Sequence, residues 1–280
     1  MVELLQHQFI QNAFLASTII AVVCATVGYF VVLRAQAFAG HSLAHIGFAG
    51  ATGAALIGVS SLTGTFIFTI IAALGMGLLG KRIRGRDIEV GMILSFALGL
   101  GVLFLKLYTT SASEAVSILF GSILSVTFFD LRLSLVSGIL TFFILLIIFR
   151  PLLFSSIDPE VAEARGVPVG LLSVIFMVLL AITVSEAILI VGILLVFALL
   201  VAPAATAHHL TNRPLRTILT SIMFSLFFSW GGLICALLFH GPVSFYIAAI
   251  ASLTYILVVP VLHILSPHLY FLPPHPDKET

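Results

Sequence analysis

A chain of 280 residues with 61% apolar and only 8% charged residues cannot be a soluble globular domain, in which about 25% of residues carry charge. So much apolar surface with so little charge requires lipid as its main solvent. The net charge of +1 offers no basic field for a nucleic acid. At about 20 residues per span, the length leaves room for about eight to ten helices in one bundle.

The N-terminal stretch MVELLQHQFIQNAF lacks the basic start of a cleaved signal peptide, so the first apolar run is read as a retained span. Apolar stretches between polar punctuation predict spans at 8–33, 37–58, 62–80, 87–109, 129–150, 169–187, 188–206, 215–238 and 243–265. The expected fold is therefore all-α, a polytopic transmembrane bundle of about nine helices forming one domain over 1–266. The run 169–206 is too long for one span, and a tight turn near Ser185 and Glu186 is expected to divide it. The stretch 111–126 is short and polar at its start, and reads as an interfacial or partly inserted helix. The tail 267–280 is rich in proline and reads as exposed.

Short loops carry most of the basic residues. Arg34, Lys81, Arg82, Arg84, Arg86, Arg150, Arg165, Arg213, Arg216 and Lys278 fall on one side of a nine-span chain; only Lys106 and Arg132 fall on the other. The positive-inside rule then places the N-terminus outside and the C-terminus in the cytoplasm. Cys24 and Cys235 sit in apolar runs without CxxC spacing and read as small packing residues.

The first polar signal inside a span is His41-Ser-Leu-Ala-His45. Four residues along a helix turn through about 400°, so the two imidazoles lie about 40° apart on one face. Such a pair is half of a site for zinc or a similar borderline metal. The same pair could equally be two histidines packed near the membrane surface. Gly75, Gly80 and Lys81 have the spacing of a phosphate-binding loop, but Arg82 stands where Ser or Thr is needed and an apolar helix precedes it. No nucleotide site is expected, and any ATP chemistry must come from a partner. Asp87 and Glu89 suit the N-terminus of the fourth span.

Residues 155–168 form the most polar internal stretch. Asp158 caps a predicted short helix with Pro159 at its first position, Glu160 in its first turn and Gly166 as its stop. Glu186, within an apolar run, is either a functional intramembrane carboxylate or a residue of the outer surface. Adjacent His208 and His209 diverge on a helix and read as cytoplasmic surface. His240 reads as part of a turn.

Three blocks resemble the permease subunits of the zinc/manganese-type metal ABC transporter family. Residues 39–50 (AGHSLAHIGFAG) look like the family's Gly-Asp-x-x-x-His segment. Residues 119–126 (LFGSILSV) with Asp130-Leu131 form the second block. The third comprises 163–169 (EARGVPV), 191–196 (VGILLV) and 202–207 (APAATA). The resemblance implies the cobalamin/metal-chelate type of importer permease, working as a homodimer in the bacterial inner membrane. It implies two ATP-binding cassette ATPase subunits on the cytoplasmic side and an extracytoplasmic metal-binding protein outside. The cargo would be a divalent metal ion, carried as substrate with no permanently bound cofactor. His45 falls on the family's histidine, and His41 stands where the family has aspartate; a histidine there favours zinc over manganese or iron. The segment holding Asp158, Glu160, Glu163, Ala164, Arg165 and Gly166 falls at the coupling position. The other reading is a secondary carrier or channel without an ATPase, but such a carrier is expected to show more intramembrane carboxylates or a repeat of broken helices.

Overall fold

The computed structural model describes residues 8–79, 86–107, 121, 123, 126–211, 213–239 and 241–265. The cluster at 81–84, His240, the tail after 265 and most of 111–126 lie outside them. Among the described residues, ten helices follow in order: α1 (Gln8–Leu33), α2 (Ala37–Leu56), α3 (Ser61–Leu79), α4 (Arg86–Leu107), α5 (Phe128–Ile157), α6 (Pro159–Ala164), α7 (Val169–Val191), α8 (Ile193–Leu210), α9 (Pro214–Phe239) and α10 (Val243–Leu265). Apart from the six-residue α6, each matches a predicted span.

Seven of these helices are long and apolar enough to cross a membrane. The two long helices that fall short are α2 and α8. Helix α2 carries His41, His45 and four glycines, and α8 is 18 residues long with a proline, Pro203, inside it. Both still pack inside the bundle. Helix α2 lies against α3, α4, α7 and α8, and α8 against α1, α9 and α10.

Burial sorts the helices into centre and rim. The apolar windows of α1 and α7 are each 72% buried, whereas those of α5 and α10 are 22% and 11% buried. Thus α1 and α7 form the core, and α5 and α10 turn residues such as Phe129, Ile147, Phe245 and Leu257 outwards. Lipid solvates those faces at no cost, so the usual rule of apolar residues inside does not apply. Many hydroxyls within the spans bond to their own helix: Thr26 donates to the Val22 carbonyl at 2.7 Å and Thr183 to the Leu179 carbonyl at 2.9 Å. This satisfies them where no water reaches.

Two predicted boundaries are corrected. The 169–206 run does not turn at Ser185 and Glu186. Helix α7 continues through both, and the break falls at Gly192, whose φ of 83° is costly for a residue with a Cβ. Glu186 is consequently not at the outer surface; it is 2% exposed, inside the bundle. The fifth span does not end at Arg150 either. Helix α5 runs for 30 residues through Pro151, about 45 Å at 1.5 Å per residue, so it outlasts a hydrocarbon core of about 30 Å. Its final turns carry α6.

Small residues allow a very close contact between α2 and α3. A Cβ on Gly50 of α2 would run into the Gly64 carbonyl of α3, and one on Gly64 into the Gly50 carbonyl. Only paired glycines let these backbones approach so closely in lipid. Gly64→Val should therefore lower the unfolding free energy in detergent by about 1–3 kcal/mol, the usual cost of overpacking. Gly75→Ala, whose Cβ would meet nothing within 4 Å, should keep or raise the melting midpoint, since alanine favours a helix interior over glycine. Equal midpoints for the two variants would refute this account.

Candidate metal pathway

Helix α2 starts after a sharp elbow in which Ala35 takes a φ of 51°. His41 and His45 follow within its first turns, and their rings stand 4.6 Å apart, centroid to centroid, at 78°. The expected shared face is present. Both rings are partly exposed, whereas Ser42, Leu43, Ala44 and Ile46 around them are buried. With exposed Phe38 they mark an edge of α2 that the bundle leaves uncovered. The Phe197 ring of α8 lies 5.2 Å from that of His41.

Glu186, on the neighbouring α7, lies at a similar level along the bundle. Added Cβ atoms on α2 show the register: at Gly40 one would stand 3.9 Å from Leu180, and at Gly47 one would stand 2.7 Å from Ile188. Helices α2 and α7 thus run side by side in the same direction, with His45 and Glu186 level. Both carboxylate oxygens of Glu186 are buried without a hydrogen-bond partner among the described residues. Its neighbour Ser185 shares a 2.7 Å hydroxyl contact with Thr69 of α3.

The three residues do not close into one centre. Among the described residues no group of three or more His, Cys, Asp or Glu side chains could hold a metal ion. A tetrahedral site takes about four ligands, so the imidazole pair of one chain is at most half of one. Gly75, one corner of the apparent phosphate loop, lies within helix α3, as its sequence context indicated.

At the other end, α6 follows its predicted design. The Asp158 carboxylate accepts from the Val161 amide at 3.0 Å, Pro159 opens the helix, and Gly166 ends it with a φ of 82°. Glu160, Glu163, Ala164, Arg165 and Gly166 are exposed, and only Ala162 of this helix is buried. His208 is corrected from surface to packing residue. Its ring stacks on that of Tyr29 at 5.0 Å, and its Nε2 lies 3.4 Å from the Tyr29 carbonyl. Periodicity within α8 could have signalled this, because His208 is four residues on from Ala204, which faces the core.

A helical membrane bundle with an imidazole pair on an uncovered edge and a capped, exposed helix at one end has the build of a transport permease. The chain belongs to the ABC 3 transport family, which it matches over residues 6–261. It is 31% identical over 251 residues to the "Manganese transport system membrane protein MntC" of Halalkalibacterium halodurans, a match covering 89% of this chain and 86% of that one. Among solved structures it is similar to PsaBC of Streptococcus pneumoniae, with a TM-score of 0.82, 28% identity, and coverage of 92% of this chain and 93% of that one. A metal-chelate type ABC transporter in an inward-facing conformation shares the fold, with a TM-score of 0.65 at 19% identity over 92% of this chain and 85% of that one. The chain is thus a permease subunit of the metal ABC transporter class, whose ATPase is a separate subunit.

The Asp158 cap generates a direct test. Asp158→Ala removes the acceptor for the Val161 amide and should cost about 1 kcal/mol of local helix stability. Hydrogen exchange at residues 161–163 should speed up by about fivefold, the equivalent of that energy, while exchange in α7 stays unchanged. Unaltered exchange at Val161 would mean that the cap contributes nothing.

Proposed function

We propose that this chain is the membrane permease of an ATP-driven importer for a divalent first-row metal ion in the bacterial inner membrane. The observation that carries the reading is the His41/His45 pair, facing out of the bundle at the depth of a buried carboxylate. A second copy of the chain supplies two more imidazoles, which completes the about four ligands of a tetrahedral site. Glu186 lines the pathway or is drawn into it when α2 and α7 shift. An incomplete site in each protomer suits transport, since the ion must also leave.

Nine spans, counting α2 and α8, cross the bilayer with the N-terminus outside. The partition of basic residues supports this orientation, and it puts α6 in the cytoplasm. There the exposed face of 158–166 receives the ATPase, one subunit for each of two permeases. An extracytoplasmic metal-binding protein delivers the ion to the opposite side. The relative named above is a manganese system, whereas the histidine at position 41 pulls towards zinc. Imidazole is a softer ligand than carboxylate, and on that chemistry zinc is the favoured cargo here.

Uptake assays decide the site. His45→Ala should reduce metal uptake by more than the roughly 10–100-fold that loss of a mere supporting residue costs, with expression intact. His41→Asp should move the preference from zinc towards manganese. Wild-type uptake by both His41→Ala and His45→Ala would reduce the pair to packing. For the topology, a C-terminal reporter active only in the cytoplasm should give signal; signal solely from an externally active reporter overturns the orientation.

A further inference from the structure

Arg34 occupies the junction of the two core helices, α1 and α7, with the end of α5. It leaves the end of α1, immediately before the elbow that starts α2. One guanidinium nitrogen donates to Ser156 Oγ at 3.2 Å and to Ser155 Oγ at 3.5 Å, in the last turn of α5. Another donates to Ser173 Oγ at 2.7 Å, in the first turns of α7. The hydroxyls of Ser155 and Ser156 both donate to the Leu152 carbonyl, so their lone pairs are left to accept from Arg34. Ser155 and Ser173 are 3% and 6% exposed. The guanidinium carbon also lies 5.6 Å from the centroid of the Phe176 ring of α7. Beneath it, Phe30 of α1 meets Phe149 of α5 at 5.7 Å and Phe176 at 6.1 Å.

The geometry matters because of what lies between the serines. Ser155–Ser156 and Ser173 flank the two ends of the α6 connector. Helix α6 packs on α5 and α7, the two helices whose connector-side turns carry the serines that hold Arg34. The elbow after Arg34 is tight: the Gln36 amide donates to the Val31 carbonyl at 2.8 Å, and the Gly40 amide to the Gln36 carbonyl at 3.1 Å. From Ala37, His41 and His45 are only about 6 and 12 Å further along α2. A rigid planar fork with five donors holds several acceptors on different helices at a smaller entropy cost per bond than a flexible ammonium with three.

We propose that Arg34 is a positioning residue that carries displacement of the 158–166 segment into the root of α2, so that ATPase docking and the His41/His45 pair move together. This rests on the reading of 158–166 as the ATPase docking segment. The test uses proteoliposomes containing the permease, its ATPase subunits and the metal-loaded binding protein. Manganese(II) or zinc(II) moved per ATP hydrolysed is the readout, beside copurification of the ATPase. Arg34→Ala should lower that ratio by about tenfold, within the usual range of coupling free energies, while the ATPase still copurifies and ATP is still hydrolysed. Arg34→Lys should recover only part of it. The combined variant Ser155→Ala, Ser156→Ala, Ser173→Ala, with Arg34 intact, should lower the ratio as well. A wild-type ratio in Arg34→Ala overturns the proposal. If Arg34→Ala does not assemble, the serine variant decides, and a wild-type ratio there overturns it. Arg165→Glu tests the underlying reading on its own: normal ATPase copurification and normal uptake in that variant sink the docking assignment and this inference with it. Loss of copurification there with a normal ratio in Arg34→Ala sinks the inference alone.

Discussion

Inside a hydrocarbon slab a backbone amide or carbonyl has no water to turn to, and each one left unpaired costs several kcal/mol. That constraint makes every span of this chain a helix, and it makes exceptions informative. Hydroxyls such as those of Thr26 and Thr183 close back onto their own helix. The carboxylate of Glu186 does not, and remains buried without a hydrogen-bond partner among the described residues. It shares that state with the buried hydroxyls of Ser42, Ser225 and Ser229, but a carboxylate is the costliest of these groups to hold there. The imidazoles of His41 and His45 stand at the same depth on the uncovered edge of α2.

The bundle divides its labour by burial. Helices α1 and α7 form a packed centre, while α5 and α10 offer mostly lipid-compatible surface. The polar features lie where the central helices end or pass their neighbours: Arg34 at the foot of α1, the α6 connector between α5 and α7, and the histidine pair on α2. Close glycine contact between α2 and α3 binds α2 to the bundle. Because α2 is rich in small residues, it can pack tightly on one side and leave its other edge open.

Much of this could be read from residue order. The positions of nine long helices followed from apolar runs of about span length. The short α6 was legible down to its cap, because Asp158, Pro159 and Gly166 act on their own neighbours in the chain. The shared face of His41 and His45 followed from helical rotation alone. The misplaced boundary at Ser185 and Glu186 had an equally local cause. A polar pair in a long apolar run resembles a turn when nothing shows that the bundle can bury it, and Gly192 was the stronger break.

What the amino-acid sequence determined alone was the solvent, the helical class, the local caps and the pairing of residues four apart, since each depends on composition or on neighbours along the chain. Tertiary structure alone decided which helices are central, that Glu186 is buried level with His45, that His208 packs on Tyr29, and that Arg34 meets serines more than a hundred positions away in the chain. Those outcomes depend on which faces of distant helices meet. In a chain whose spans are apolar on every side, periodicity carries little mark of that choice.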